Sequence, residues 1–227
     1  MLQTGLSVEM ATAAAILVHG RGASAEDILT LTRELNQPEF AYLAPQAAGN
    51  TWYPYSFLAP LQQNEPGLSS GLSVIDHLVM EISKQGIPSR GVLLLGFSQG
   101  ACLALEYAAR NPRRFGGLVG LTGGLIGPPG TDRDYEGSLS GTSVFLGAGD
   151  PDPHVPWSRV EETAAVFERM GAEVDLRRYP GMGHSISREQ IATVRQLMES
   201  LLKDDTDSSG EIGATHGGNV HTPGPDS

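Results

Sequence analysis

The stretch Gly91 to Asn111, GVLLLGFSQGACLALEYAARN, narrows the possible folds more than any other part of the chain. Gly91 to Phe97 is a short, continuously apolar run, as a strand covered on both faces of a parallel sheet requires. Ala101 to Arg110 is dense in small and apolar helix formers. Between them, Gly96-Phe97-Ser98-Gln99-Gly100 leaves room for a single sharp turn that holds Ser98 in a strained backbone conformation. Gly96 and Gly100 carry no Cβ, so strand and helix can approach closely on either side of the serine. The Ser98 hydroxyl then stands at the carboxyl end of a sheet, above a helix N-terminus whose N–H groups face a developing negative charge. Taken alone, Gly-x-Ser-x-Gly is also an ordinary tight turn. The strand before it and the helix after it favour a nucleophile.

The rest of the chain alternates strands and helices around this element. Strands are expected at Ala13 to Val18, Glu39 to Leu43, Phe115 to Leu121, Thr142 to Gly147 and Glu173 to Tyr179. Helices are expected at Ala25 to Leu35 with Ser24 as N-cap, at Ser69 to Gln85 and at Val155 to Met170. A last helix, Arg188 to Lys203, has a Ser187/Gln190 capping box. Such alternation calls for an α/β fold with a mostly parallel central sheet and helices on both faces. Residues 1–203 form one domain of a size that buries a single good core. From Asp204 to Ser227, Gly, Ser, Thr, Asp and Pro dominate, and five acids with no Lys or Arg carry −5 of the net −11, so a disordered acidic tail is expected.

The acidic balance argues against nucleic acid as a partner. No run of eighteen apolar residues is present, so no membrane-spanning helix is expected. The N-terminal apolar run serves better as a strand than as a secretory leader, and a cytoplasmic protein is expected. Cys102, the single cysteine, excludes an internal disulfide and any cysteine-rich zinc site, and four residues after Ser98 it reads as a small buried hydrophobe. Neither a metal nor a cofactor is called for.

A serine hydroxyl needs a base, and histidine is the side chain suited to that near neutrality. Of six histidines, His216 and His221 lie in the tail, His77 sits mid-helix, and His19 precedes a glycine turn where it could brace a loop. His154 and His184 remain. His184, in Tyr179-Pro-Gly-Met-Gly-His between the last strand and the last helix, is the preferred base. An acid must orient the imidazole, and Gly149-Asp-Pro-Asp-Pro-His places both Asp150 and Asp152 after the penultimate strand, with chain order deciding nothing between them. Ser, Asp, His is the order found on an α/β-hydrolase sheet. The N–H of Gln99, following the serine, and that of Arg21 in the first loop are the expected oxyanion donors. The long loop 44–68 gathers Trp52, Tyr53, Tyr55 and Phe57 and carries function by its length alone. Trp52, Tyr53, Leu125 and His154 are the candidate pocket residues.

Taken together, LVHGRG at 17–22, GFSQG at 96–100, GDPDPHVP at 149–156 and GMGHSI at 181–186 resemble the phospholipase/carboxylesterase family of α/β-hydrolases over residues 13–203. The resemblance implies Asp152 rather than Asp150 as the acid, His184 as the base, and the backbone of Arg21 and Gln99 as oxyanion donors. It implies a serine hydrolase acting on a small-molecule ester. An acyl-protein thioesterase or lysophospholipase is the alternative within the same chemistry, and a hydrolase-fold binding protein the alternative without it. Position 21 is commonly apolar in the family's thioesterases. A cation there, at the mouth of the site, points to short acyl groups.

Overall fold

The computed structural model describes residues 1–210, with side chains through Lys203; of the expected tail, Asp204 to Ser227, the residues from Glu211 onward lie outside the described residues. Seven strands form one sheet: β1 (Leu2–Gly5), β2 (Ala13–Val18), β3 (Phe40–Ala44), β4 (Val92–Phe97), β5 (Gly117–Leu121), β6 (Ser143–Asp150) and β7 (Glu173–Pro180). Their spatial order is β1-β3-β2-β4-β5-β6-β7. β1 runs antiparallel to β3, and every other neighbouring pair is parallel. The helices are α1 (Ala25–Leu29), α2 (Thr32–Leu35), α3 (Gly67–Lys84), α4 (Gln99–Arg110), α5 (Trp157–Arg169) and α6 (Arg188–Gly210).

The central strands are apolar throughout because both of their faces are covered. Along β2, Ala14, Ile16 and Val18 join the core that holds α3, α4 and α5. Ala13, Ala15 and Leu17 point the other way, into the core shared with α1 and α6. Two-sided burial makes strict alternation unnecessary, and the sequence shows none there. β1 is exposed along its whole length, has no hydrophobic pattern, and was not expected.

Two expectations are corrected. The single helix 25–35 is broken between Leu29 and Thr32, where the hydroxyls of Thr30 and Thr32 donate to the carbonyls of Asp27 and Leu29 three residues back, at 2.6 and 2.8 Å. Such back-bonding competes with the regular helical ladder. Its start is as expected, with Ser24 and Asp27 forming a reciprocal cap. The last helix continues to Gly210, seven residues beyond the expected end at Lys203, and it begins on the anticipated Ser187/Gln190 box.

The long connection 122–141 is tied down by buried charges. Glu106, 1% exposed on α4, accepts from Arg110 Nε, the Ile126 N–H and the Tyr135 hydroxyl at 2.7, 2.9 and 3.1 Å. Arg133 and Arg159 both donate to Glu162, and between them they hold the carbonyls of Leu125, Ile126 and Gly127. Charges this deeply buried survive because each is paired and hydrogen-bonded.

At the centre of the sheet, β2, β4 and α4 meet where glycine alone fits. A Cβ on Gly100 would lie 2.1 Å from the Val18 carbonyl oxygen, and one on Gly96 would lie 2.3 Å from that of Gly100. Both obstacles are backbone, so neither can yield without moving β2 or α4. Gly100→Ala is therefore expected to destabilise the fold by about 3 kcal/mol or more. Gly183→Ala, where nothing lies within 4 Å, should stay within about 0.5 kcal/mol of the parent. Urea denaturation of the two variants checks both figures; a Gly100 variant as stable as the parent would refute the packing argument.

Candidate active site

Because β2, β4, β6 and β7 are parallel, the chain leaves all four at the same edge of the sheet. From β4 it enters Ser98, whose φ of 54° and ψ of −119° lie outside the comfortable regions for a residue with a side chain. The strain is held by the neighbours: the Ser98 N–H donates to the Leu121 carbonyl at 3.0 Å, and the Ser98 carbonyl accepts from the Cys102 N–H at 3.0 Å as α4 begins.

His184, on the loop after β7, brings Nε2 to 2.8 Å from Ser98 Oγ. Its Nδ1 lies 2.8 Å from Asp152 Oδ2, on the loop after β6. The second carboxylate oxygen of Asp152 accepts from the N–H groups of His154 and Val155 at 2.7 and 2.9 Å. Burial pushes this carboxyl up, but those two N–H groups and the His184 ring outweigh it and hold it below its ordinary value. A charged Asp152 keeps the proton on Nδ1 and leaves Nε2 free to accept from the serine. Asp150 takes no part; it faces Arg178 on β7 in an ion pair, with Nε at 2.7 Å.

His19 does brace a loop: it is fully buried, with Nδ1 donating to the Gly20 carbonyl at 2.8 Å and Nε2 accepting from the Ala47 N–H at 3.1 Å. His77 is exposed on α3, away from this edge.

Beside Ser98 lies a cavity of about 310 Å³ whose walls include Tyr53, Phe57, Cys102 and Val155, with Arg21 and His154 on its exposed side. A larger apolar cleft of about 780 Å³ lies between the N-terminus and α3, but its Ser73, His77 and Glu81 share no hydrogen bond, and it lacks an activated nucleophile.

Of the expected pocket residues, Tyr53 and His154 line the cavity; the His154 ring meets that of His184 edge-on at 4.8 Å. Trp52 and Leu125 do not line it. Trp52 is buried against His19, 5.0 Å between ring centres, and donates its Nε1–H to the His19 carbonyl. Leu125 is fully buried, its N–H donating to Thr163 and its carbonyl accepting from Arg159. Both are packing residues. Ser56, Phe57, Cys102 and Val155 were not singled out for the pocket. Of these only Phe57 carried a signal, its place in an aromatic loop. Cys102 is the buried small residue expected, and burial pushes its thiol up to about 12.

Arg21 lies at the mouth, but its guanidinium is not a free cation. It donates to Thr51 Oγ1 and to the carbonyls of Tyr53, Pro54 and Tyr55 at 2.9, 2.9, 2.9 and 2.6 Å. The Gln99 side chain grips the same loop, accepting from the Trp52 N–H at 3.0 Å and donating to the Tyr53 carbonyl at 2.8 Å. The backbone N–H groups of Arg21 and Gln99 take no part in the hydrogen bonding among the described residues.

Among solved structures, a phospholipase/carboxylesterase from Dyadobacter fermentans is 46% identical, with a TM-score of 0.84, covering 87% of this chain and 95% of that one. A carboxylesterase from Bacillus cereus, 19% identical with a TM-score of 0.71 over 88% of this chain and 93% of that one, shares the fold. Acyl-protein thioesterase 1 of Kluyveromyces lactis is 33% identical over 140 residues, 60% of this chain, and the match spans 61% of that protein's length. Acyl-protein thioesterase 1 of Yarrowia lipolytica is 25% identical over 85% of this chain and 93% of its own. With a family match running unbroken over residues 7–202, across every strand from β2 to β7 and the whole site, the chain belongs to the phospholipase/carboxylesterase family of α/β-hydrolases.

Proposed function

We propose that the protein is a serine carboxylesterase that cleaves small carboxylic esters through an acyl-enzyme. The unbroken chain Ser98 to His184 to Asp152, both links at 2.8 Å, carries this reading. His184 Nε2 takes the Ser98 proton as Oγ attacks the ester carbon, and the charged Asp152 stabilises the imidazolium that forms. The tetrahedral oxyanion is met by the N–H groups of Arg21 and Gln99. On collapse, the imidazolium gives its proton to the departing alkoxide, which leaves as the alcohol. Water then enters, His184 takes its proton, hydroxide attacks the acyl carbon, and the acid departs as Ser98 is reprotonated. Ser98→Ala and His184→Ala are each expected to lower kcat about a millionfold, and the double variant hardly further, because the two act as one unit. Turnover rates and fluorophosphonate labelling confined to Ser98 test this. Near-parent hydrolysis by either variant would refute it.

The same geometry sets the pH response. Protonated His184 cannot accept the serine proton, so kcat/KM falls on the acid side. His184 faces Asp152, Ser98 and the rings of His154 and Phe97. Asp152 is held ionised below the ordinary carboxylate range, so it keeps its charge across that limb. The expected slope of log kcat/KM against pH is therefore about one, a single proton. A slope of two would show that a second group must also lose its proton and would refute the single-base reading.

The relatives named acyl-protein thioesterase 1 favour a second reading, hydrolysis of acyl-protein thioesters. Against it stands a cavity of about 310 Å³, at the small end of ligand sites. Along p-nitrophenyl esters from acetate to palmitate, kcat/KM is expected to peak below octanoate. A maximum at octanoate or beyond would favour the thioesterase reading.

A further inference from the structure

The cavity beside Ser98 contains one buried polar group that the esterase chemistry does not use. Tyr53 is 1% exposed and lines the cavity, and its hydroxyl has no oxygen or nitrogen partner. Its neighbour is the Cys102 thiol, a weak partner at best, and Cys102 lines the same cavity. The other buried polar side chain there, Gln99, bonds the loop through both its amide oxygen and its amide nitrogen, and Ser98 and His184 are paired with each other. A buried hydroxyl without a partner opposes folding, and phenylalanine would fill the same space without that penalty. A donor in this position is suited to a ligand that completes it.

The reaction fixes which part of the ester reaches Tyr53. His184 must hand its proton to the leaving oxygen, so the alcohol portion lies on the His184 and His154 side, toward solvent. That leaves the walls formed by Phe57, Cys102 and Tyr53 to the acyl portion. We propose, resting on the esterase reading, that Tyr53 Oη–H donates a hydrogen bond to the substrate's acyl group. The preferred substrates are then esters of short acids bearing an acceptor oxygen, an ether, keto or hydroxyl oxygen, in place of a plain alkyl chain. Burial keeps the phenol protonated and so a donor. Its backbone carbonyl, already held by Arg21 and Gln99, fixes where the ring stands.

The test compares isosteric p-nitrophenyl esters: methoxyacetate with butanoate, and 3-methoxypropanoate with pentanoate. The intrinsic reactivity of each ester cancels when its ether-to-alkyl ratio of kcat/KM is compared between the parent and Tyr53→Phe. For at least one oxygen position, that ratio is expected to fall about tenfold in the variant, the discrimination available from one hydrogen bond. The variant should also melt at or above the parent temperature, since it loses an unpaired buried hydroxyl. Equal ratios in both proteins would overturn the proposal while leaving the esterase reading intact. A variant several degrees less stable would show the hydroxyl to be structural and would likewise overturn it. No turnover of any of the four esters would remove the esterase reading and this inference together.

Discussion

The contact between the backbone of Gly100 and the Val18 carbonyl, too close for any side chain, is the constraint on which the site depends. It lets α4 begin against β2 immediately after β4 ends, and that leaves Ser98 with a positive φ and its hydroxyl clear of the sheet. A looser turn would relieve the strain but would let the hydroxyl swing. The energy that keeps the turn tight comes from outside it, from a helix buried over nearly its whole circumference and strands buried on both faces. The geometry of Ser98 is in this sense a property of the entire core.

Parallel topology does the remaining positioning. Asp152 and His184 are 32 residues apart, and Ser98 lies 86 residues from His184, yet each follows a strand whose carboxyl end faces the same way. Two loops of different length need only turn inward. Within the first, the turn 152–155 points two N–H groups at the Asp152 carboxylate, which fixes both its charge and its orientation before the histidine arrives.

How far the sequence reveals this depends on whether the signal is local. The strand, turn and helix around Ser98 are written in consecutive residues, and the core strands in runs of apolar side chains. The break in 25–35 was missed because hydrophobic spacing does not register threonine hydroxyls bonding backward. β1 was missed because an exposed edge strand has no pattern to show. The expectation of Trp52 and Leu125 in the pocket fails because their places follow from partners far along the chain, His19 and Arg159. The same holds for Arg21, whose apparent cationic mouth is a set of hydrogen bonds to carbonyls more than thirty residues away.

Arg21 and Gln99 each belong to two structures at once. Their side chains hold the loop Thr51 to Tyr55, and their backbone N–H groups are the ones proposed to meet the oxyanion. The proposed acyl wall and the proposed oxyanion donors are therefore mechanically joined, and substitutions in the two are expected not to add as independent changes do. On that proposal, a change in the loop that admits a new acid must also re-establish the geometry of the two N–H groups. Changes of specificity in this protein should therefore come in concerted sets rather than one residue at a time.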